Sequence, residues 1–120
     1  MTLTTVSCLL IWNSWDPFRL KAVASYLNSV RVIVKEGCEE QYLDKVRTWV
    51  RPDGMTANHL ARIGERRYCF VGFWESEEAL IAGRSNMIDH LNSVRDDLEE
   101  ISPELGVTDP VSGPVVISQG

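Results

Sequence analysis

Apolar positions along the chain switch repeatedly between a period of two and a period near 3.6, and these switches mark the elements. Val30 to Lys35 reads Val-Arg-Val-Ile-Val-Lys, β-branched and nearly alternating, and is followed by Gly37; it predicts a strand. From Cys38 to Val50 the residues Tyr42, Leu43, Val46, Trp49 and Val50 recur at helical spacing, with Glu39, Glu40, Asp44, Lys45 and Arg47 opposite, and Pro52-Asp53-Gly54 stops the helix. Met55 to Ile63 alternates again, placing Met55, Ala57, His59, Ala61 and Ile63 on one face and Thr56, Asn58, Leu60 and Arg62 on the other. Gly64-Glu65-Arg66 then turns the chain into a second strand, Arg67 to Trp74, forming a hairpin. At Trp74 the periodicity changes without a spacer. Ser76 is placed to cap a helix whose first turn carries Glu77 and Glu78, where the dipole favours negative charge. Leu80 and Ile81 begin its apolar stripe, the pattern loosens from Gly83 to Asn86, and Met87, Ile88, Leu91, Val94, Leu98 and Ile101 continue it to Pro103. In the last segment, Gly106 to Ser118, Pro110 and Pro114 mark an edge or an excursion, and Val115-Val116-Ile117 reads as the strand.

The order strand, helix, strand, strand, helix, strand is the split βαβ arrangement of α+β ferredoxin-like folds (βαββαβ): a four-stranded antiparallel sheet with both helices on one face. Residues 30–120 form this unit, and residues 1–29 an extension. In the extension Val6 to Trp12 has strand character; Asp16-Pro17 suits the start of a helix with Leu20, Val23, Ala24 and Leu27 on one stripe. Helices on one face leave the other uncovered, yet the third strand carries Cys69, Val71 and Phe73 on one face and Tyr68, Phe70 and Trp74 around Gly72 on the other. A solvated face would not be this apolar, so the second face is a dimer interface or a ligand cavity, and two sheets packed face to face produce both.

The 120 residues suit one domain, and 44% hydrophobic with 24% charged residues is ordinary for a globular chain. A formal charge of −5 disfavours nucleic acid. Arg62, Arg66 and Arg67 cluster, but at a hairpin tip with Glu65 they read as a solvated turn. The stretch Met1 to Trp15 is too short to span a bilayer, so no membrane partner is expected. Ala22-Val23-Ala24 resembles a signal cleavage site only superficially, because no Lys or Arg precedes Trp15 and Asp16-Pro17 interrupts the apolar region; the chain is expected to be cytoplasmic. Cys8, Cys38 and Cys69 are three cysteines at wide spacing, implying neither a disulfide framework nor a metal site, and Cys38 reads as an ordinary thiol.

From Val30 to Ser118 the chain resembles the antibiotic biosynthesis monooxygenase family of dimeric α/β barrels. The likeness is carried by the Val30 to Gly37 strand and turn, the hairpin, the junction Trp74-Glu75-Ser76-Glu77-Glu78-Ala79-Leu80, and Gly106-Val107 before the closing strand. The resemblance implies a homodimer whose sheets form a barrel, with the last strand extending toward the partner. It also implies cofactor-independent oxygenation of a small aromatic or quinol-type molecule, with no cofactor. Such a site must hold a flat apolar ligand, exclude water and stabilise an anion. Haem-degrading members use an asparagine in the first strand and a tryptophan and histidine in the second helix. Here Val30 to Lys35 has no asparagine and the second helix no tryptophan, which disfavours that branch.

Phe70, Phe73 and Trp74 are the candidate apolar walls, and Asn58, His59, Arg62 and Tyr68 the candidate polar groups. Asn58 and Arg62 share a strand face and could meet a substrate oxyanion, whereas His59, a possible base, lies on the opposite face; the alternatives exclude each other unless the strand bulges. His59 reads first as a half-buried histidine bonded across the sheet, and Trp74 first as a packed corner between strand and helix. His90 lies one helical turn beyond Met87, where quinol-type members place a histidine, and could substitute or serve at an interface. A non-catalytic binding or dimerisation module, or an isomerase or decarboxylase on the same scaffold, are the competing readings.

Overall fold

The computed structural model describes residues 24–119, so the expectations for the strand Val6 to Trp12, for the start of a helix at Asp16-Pro17 and for Cys8 fall outside the described residues. The elements are β1 (Tyr26–Ile33), α1 (Glu39–Thr48), β2 (Met55–Gly64), β3 (Arg67–Trp74), α2 (Glu77–Ala82), α3 (Arg84–Val94), a 3-10 turn at Arg95–Asp97, and β4 (Asp109–Pro114). They form a four-stranded antiparallel sheet in the order β2-β3-β1-β4, the α+β ferredoxin-like fold.

β1 begins at Tyr26, earlier than the alternating run starting at Val30. Leu27 therefore belongs to a strand and not to a helical stripe, and Ala24 lies in neither. Tyr26-Leu-Asn-Ser has little strand character of its own; pairing on both sides, with Trp74 to Val71 and with Pro114 to Val111, holds it extended. β4 likewise differs from expectation. It contains both Pro110 and Pro114, and Val115 to Ile117 lie beyond it. As an edge strand it needs N–H donors on one side only, so proline is tolerated.

α1 ends at Thr48 and Trp49 turns extended (ψ 133°), because Pro52 has no N–H to donate to the Thr48 carbonyl four residues back and its ring would clash with it in a helix. Gly54 follows at φ 87°. Ser76 caps α2 as expected, its Oγ accepting from Ala79 N at 3.0 Å. The expected loose stretch is a break at Gly83 alone, and α3 ends at Val94, so Leu98 and Ile101 lie beyond the helix. Gly83 is needed there: a Cβ on it would lie 2.8 Å from the Trp74 ring. At the hairpin tip Arg66 takes φ 58° and donates to Val34 O at 2.8 Å and Glu99 at 2.6 Å, and the Glu99 bond raises its pKa. It is a fastener between hairpin and core, not a solvated turn residue.

Two apolar clusters join the helices to the sheet. Val32, Val34, Tyr42, Tyr68, Val94 and Leu98 form one. Met55, Trp74 and Leu80 form the other. A register shift between Met55 and Ala57 bulges β2, so Met55 shares the helix side with Asn58, not the face of Ala57 and His59. Among the described residues no helix is long and apolar enough to cross a membrane.

Candidate functional site

The register puts Asn28 opposite Gly72, with Trp74 one pleat further along the same face. Gly72 lets the amide lie across the neighbouring strand: a Cβ there would sit 2.6 Å from Asn28 Oδ1. The Trp74 indole, fully buried, donates Nε1–H to that oxygen at 2.7 Å. Because an indole only donates, the contact fixes the amide with Nδ2 turned the other way. Among the described residues Nδ2 meets only the Met87 thioether, at 3.9 Å, although Asn28 is 8% exposed. A buried donor is thus left with a weak partner.

Asn28 and Met87 both line a cavity of about 380 Å³ between the sheet and the helices, walled mainly by Val30, Val46, Phe70, Leu91 and Val94. Its polar contributors are few. Tyr42 lines it from α1, His90 and Arg84 from α3, and Thr108 from the approach to β4. Trp49 closes the gap between α1 and α3: it meets Phe70 edge-on at 5.9 Å, stacks on His90 at 4.7 Å, and donates Nε1–H to Asn86 Oδ1 at 2.8 Å. Trp49 and His90 also line an open groove of about 560 Å³ outside, so the stacked pair separates cavity from surface. Burial holds the His90 imidazole below its ordinary pKa, keeping it neutral at pH 7, and its ring has no hydrogen-bond partner among the described residues. Tyr42 is pushed up to about 12 by burial and by the neighbouring Tyr68 phenol, 5.6 Å away between ring centroids.

This cavity lies under the helices; a separate open pocket of about 570 Å³ on the uncovered sheet face is lined by Leu27, Ala57, Phe73 and Ile117. Of the residues singled out beforehand, the cavity under the helices brings together Phe70 and His90. Asn58 and Arg62 are on the helix side but do not line it: Asn58 contacts Met55 Sδ at 3.4 Å, and Arg62 pairs with Glu39 at 3.2 Å and lies over the Tyr68 ring. Tyr68 donates to Glu39 at 2.6 Å. Phe73 is on the uncovered face, edge-on to His59 at 6.1 Å; His59 is exposed, not half-buried and bonded across the sheet. Trp74 touches the site through Asn28. The residue missed was Asn28 itself, because the first strand was begun at Val30. That strand does hold an asparagine, while α2 and α3 still hold no tryptophan. The signal was available in the polar Asn28-Ser29 pair directly before a strand run. Among the described residues no group of three or more His, Cys, Asp or Glu side chains is placed to hold a metal ion.

This α+β architecture recurs among solved structures. The putative antibiotic biosynthesis monooxygenase from Chloroflexus aurantiacus J-10-fl matches 81% of this chain and 98% of its own at a TM-score of 0.63 and 13% identity. SnoaB, a cofactor-independent oxygenase from Streptomyces nogalater solved as a point variant, matches 80% and 97% at 0.59 and 12%. A dimeric ferredoxin-like protein from an uncultured marine organism matches 82% and 94% at 0.62 and 13%. At such identities the likeness is one of fold. No protein-family model and no curated protein matches the chain.

Proposed function

We propose that the protein is a cofactor-independent oxygenase of a small aromatic, quinol-type molecule bound between sheet and helices. The observation that carries this reading is the Asn28 amide, which lines an apolar cavity with its oxygen held by Trp74 and its donor poorly satisfied. The same cavity is lined by His90, whose neutral imidazole has no hydrogen-bond partner among the described residues. Such a pair meets both demands of the chemistry. His90 accepts the proton of an acidic ring methylene or hydroxyl, and Asn28 Nδ2 donates to the oxygen on which negative charge collects. The apolar walls and Trp49 limit the water that reaches a bound ligand. For a ring methylene, the anion passes one electron to dioxygen and the radical pair forms a C–O bond. Cleavage of the O–O bond removes the second hydrogen as water and leaves a carbonyl, so one oxygen atom enters the product. That the solved structures of this fold include one called a cofactor-independent oxygenase supports the reading.

A homodimer fits the same arrangement. The face not covered by helices presents Leu27, Val71, Phe73 and Val111, the last 62% exposed, and Val116 and Ile117 stand exposed beyond β4. An apolar sheet face of this kind calls for a partner, and a second copy is the simplest one.

The test is oxygen uptake by purified protein with a panel of quinols and anthrones in air, without added flavin or metal. Acceleration that is lost in Asn28→Ala and His90→Gln is expected. No acceleration by folded protein across the panel sinks the oxygenase reading. Ligand binding without oxygen uptake would favour a small-molecule-binding module, which the sparsely polar cavity also suits.

A further inference from the structure

Tyr42 is 5% exposed and lines the cavity, yet its hydroxyl has no hydrogen-bond partner among the described residues. A buried hydroxyl without a partner is costly, and such groups call for an explanation. Its ring cannot swing away to water, because it is packed among Val32, Val34, Tyr68, Val94 and Leu98. Position supplies the explanation. Tyr42 stands at the Val32 and Tyr68 level of the sheet, while Asn28 stands at the Gly72 level, four residues along the same face. Four residues of strand span about 13 Å. The cavity therefore has a hydrogen-bond donor near each end and apolar walls between.

We propose that the ligand is a flat molecule oxygenated at both ends of its long axis, one oxygen meeting Asn28 Nδ2 and the other the Tyr42 hydroxyl. Donors standing at strand levels about 13 Å apart call for a ligand longer than one ring, and a fused two-ring aromatic with an oxygen at each end is the simplest of that kind. Apolar area alone would hold many aromatics of this size, so the second donor supplies selection: a site built to bond an oxygen rejects the analogue lacking it. The phenol stays protonated throughout the physiological range, so it acts as a donor toward a carbonyl or an ionised hydroxyl. This inference rests on the cavity being the ligand site, but not on dioxygen chemistry there.

The experiment uses the whole protein, Tyr42→Phe, and two probes: β-naphthol, and the naphthalenediol carrying its second hydroxyl at the opposite end. Affinities are read by quenching of tryptophan fluorescence, and stability by urea unfolding. The wild type should prefer the diol, and Tyr42→Phe should weaken diol binding about tenfold while leaving β-naphthol unchanged. Its unfolding midpoint should stay the same or rise, since the deleted hydroxyl has no partner within the protein. Equal affinities of the wild type for both probes overturn the proposal. So does a loss of stability in Tyr42→Phe, which would show the hydroxyl bonded internally, or a failure of both probes to bind. Preference for the diol without oxygen uptake from any quinol leaves this inference standing and removes only the oxygenase reading.

Discussion

The Trp74 indole hydrogen-bonds the Asn28 amide oxygen at 2.7 Å, joining the corner between β3 and α2 to the floor of the cavity. A residue that looks like packing at a strand end therefore sets the direction of the donor available to a ligand. Trp74→Phe keeps most of the apolar volume and removes the donor, leaving the amide oxygen buried and unpaired. A loss of about 1–3 kcal/mol is expected by urea unfolding. Ligand affinity should fall as well, since the amide is free to flip.

Gly72→Ala should act on the same amide from the neighbouring strand. Its new Cβ would meet Asn28 Oδ1 at 2.6 Å and Met55 Cε at 3.1 Å. Overpacking of this kind costs about 1–3 kcal/mol, and the displaced amide should lose its ligand contact. Gly113→Ala is the control, because a Cβ there meets nothing within 4 Å. Thermal unfolding of the two variants should differ by several degrees.

His90 gives stability a pH dependence whose sign follows from its burial. The unfolded imidazole protonates near 6.5, whereas burial lowers the folded value. Between the two the unfolded state binds more protons, so stability is full above about pH 6.5 and declines as pH falls through that window. His90→Gln should flatten this part of the curve in unfolding experiments from pH 7.5 down to about 5. Any oxygenase rate that uses His90 as base should fall over the same range.

Asp97, 1% exposed, fastens α1 to the turn after α3 by accepting from Gln41 Nε2 and, at 2.9 Å, from Lys45 Nζ. Burial alone would raise its carboxyl, but these bonds outweigh it and hold the pKa below the ordinary 3.8. Its contribution is therefore present above about pH 4 and lost as pH falls through the folded value. Asp97→Asn should cost about 2 kcal/mol at pH 7, measured by urea unfolding, with much less difference from wild type at low pH.

Phe73→Lys places a charge in the middle of the uncovered sheet face, away from the cavity. Sedimentation equilibrium should show the wild type as a dimer and the variant shifted toward monomer, with far-UV circular dichroism unchanged. A wild type that stays monomeric at the highest concentrations would remove the interface assigned to this face.

Much of the architecture was legible from residue order. The alternation around Val30, the stripe of Tyr42, Leu43 and Val46, the hairpin at Gly64 and the Ser76 cap are governed by neighbours within a few positions, and these elements formed where their pattern lay. The two faces of β3 were readable for the same reason, since a pleat alternates whatever lies beside it. Three decisions came from the tertiary structure. Tyr26 to Ser29 is strand because β3 and β4 flank it; Met55 changes face because β2 bulges; and the cavity opens under the helices because α1 and α3 stand apart there, with Trp49 across the gap. Each depends on contacts between residues far apart in the chain, which local periodicity does not encode. Asn28 shows the consequence most plainly: its donor acquires a direction only when Gly72 and Trp74, more than forty positions away, are brought beside it.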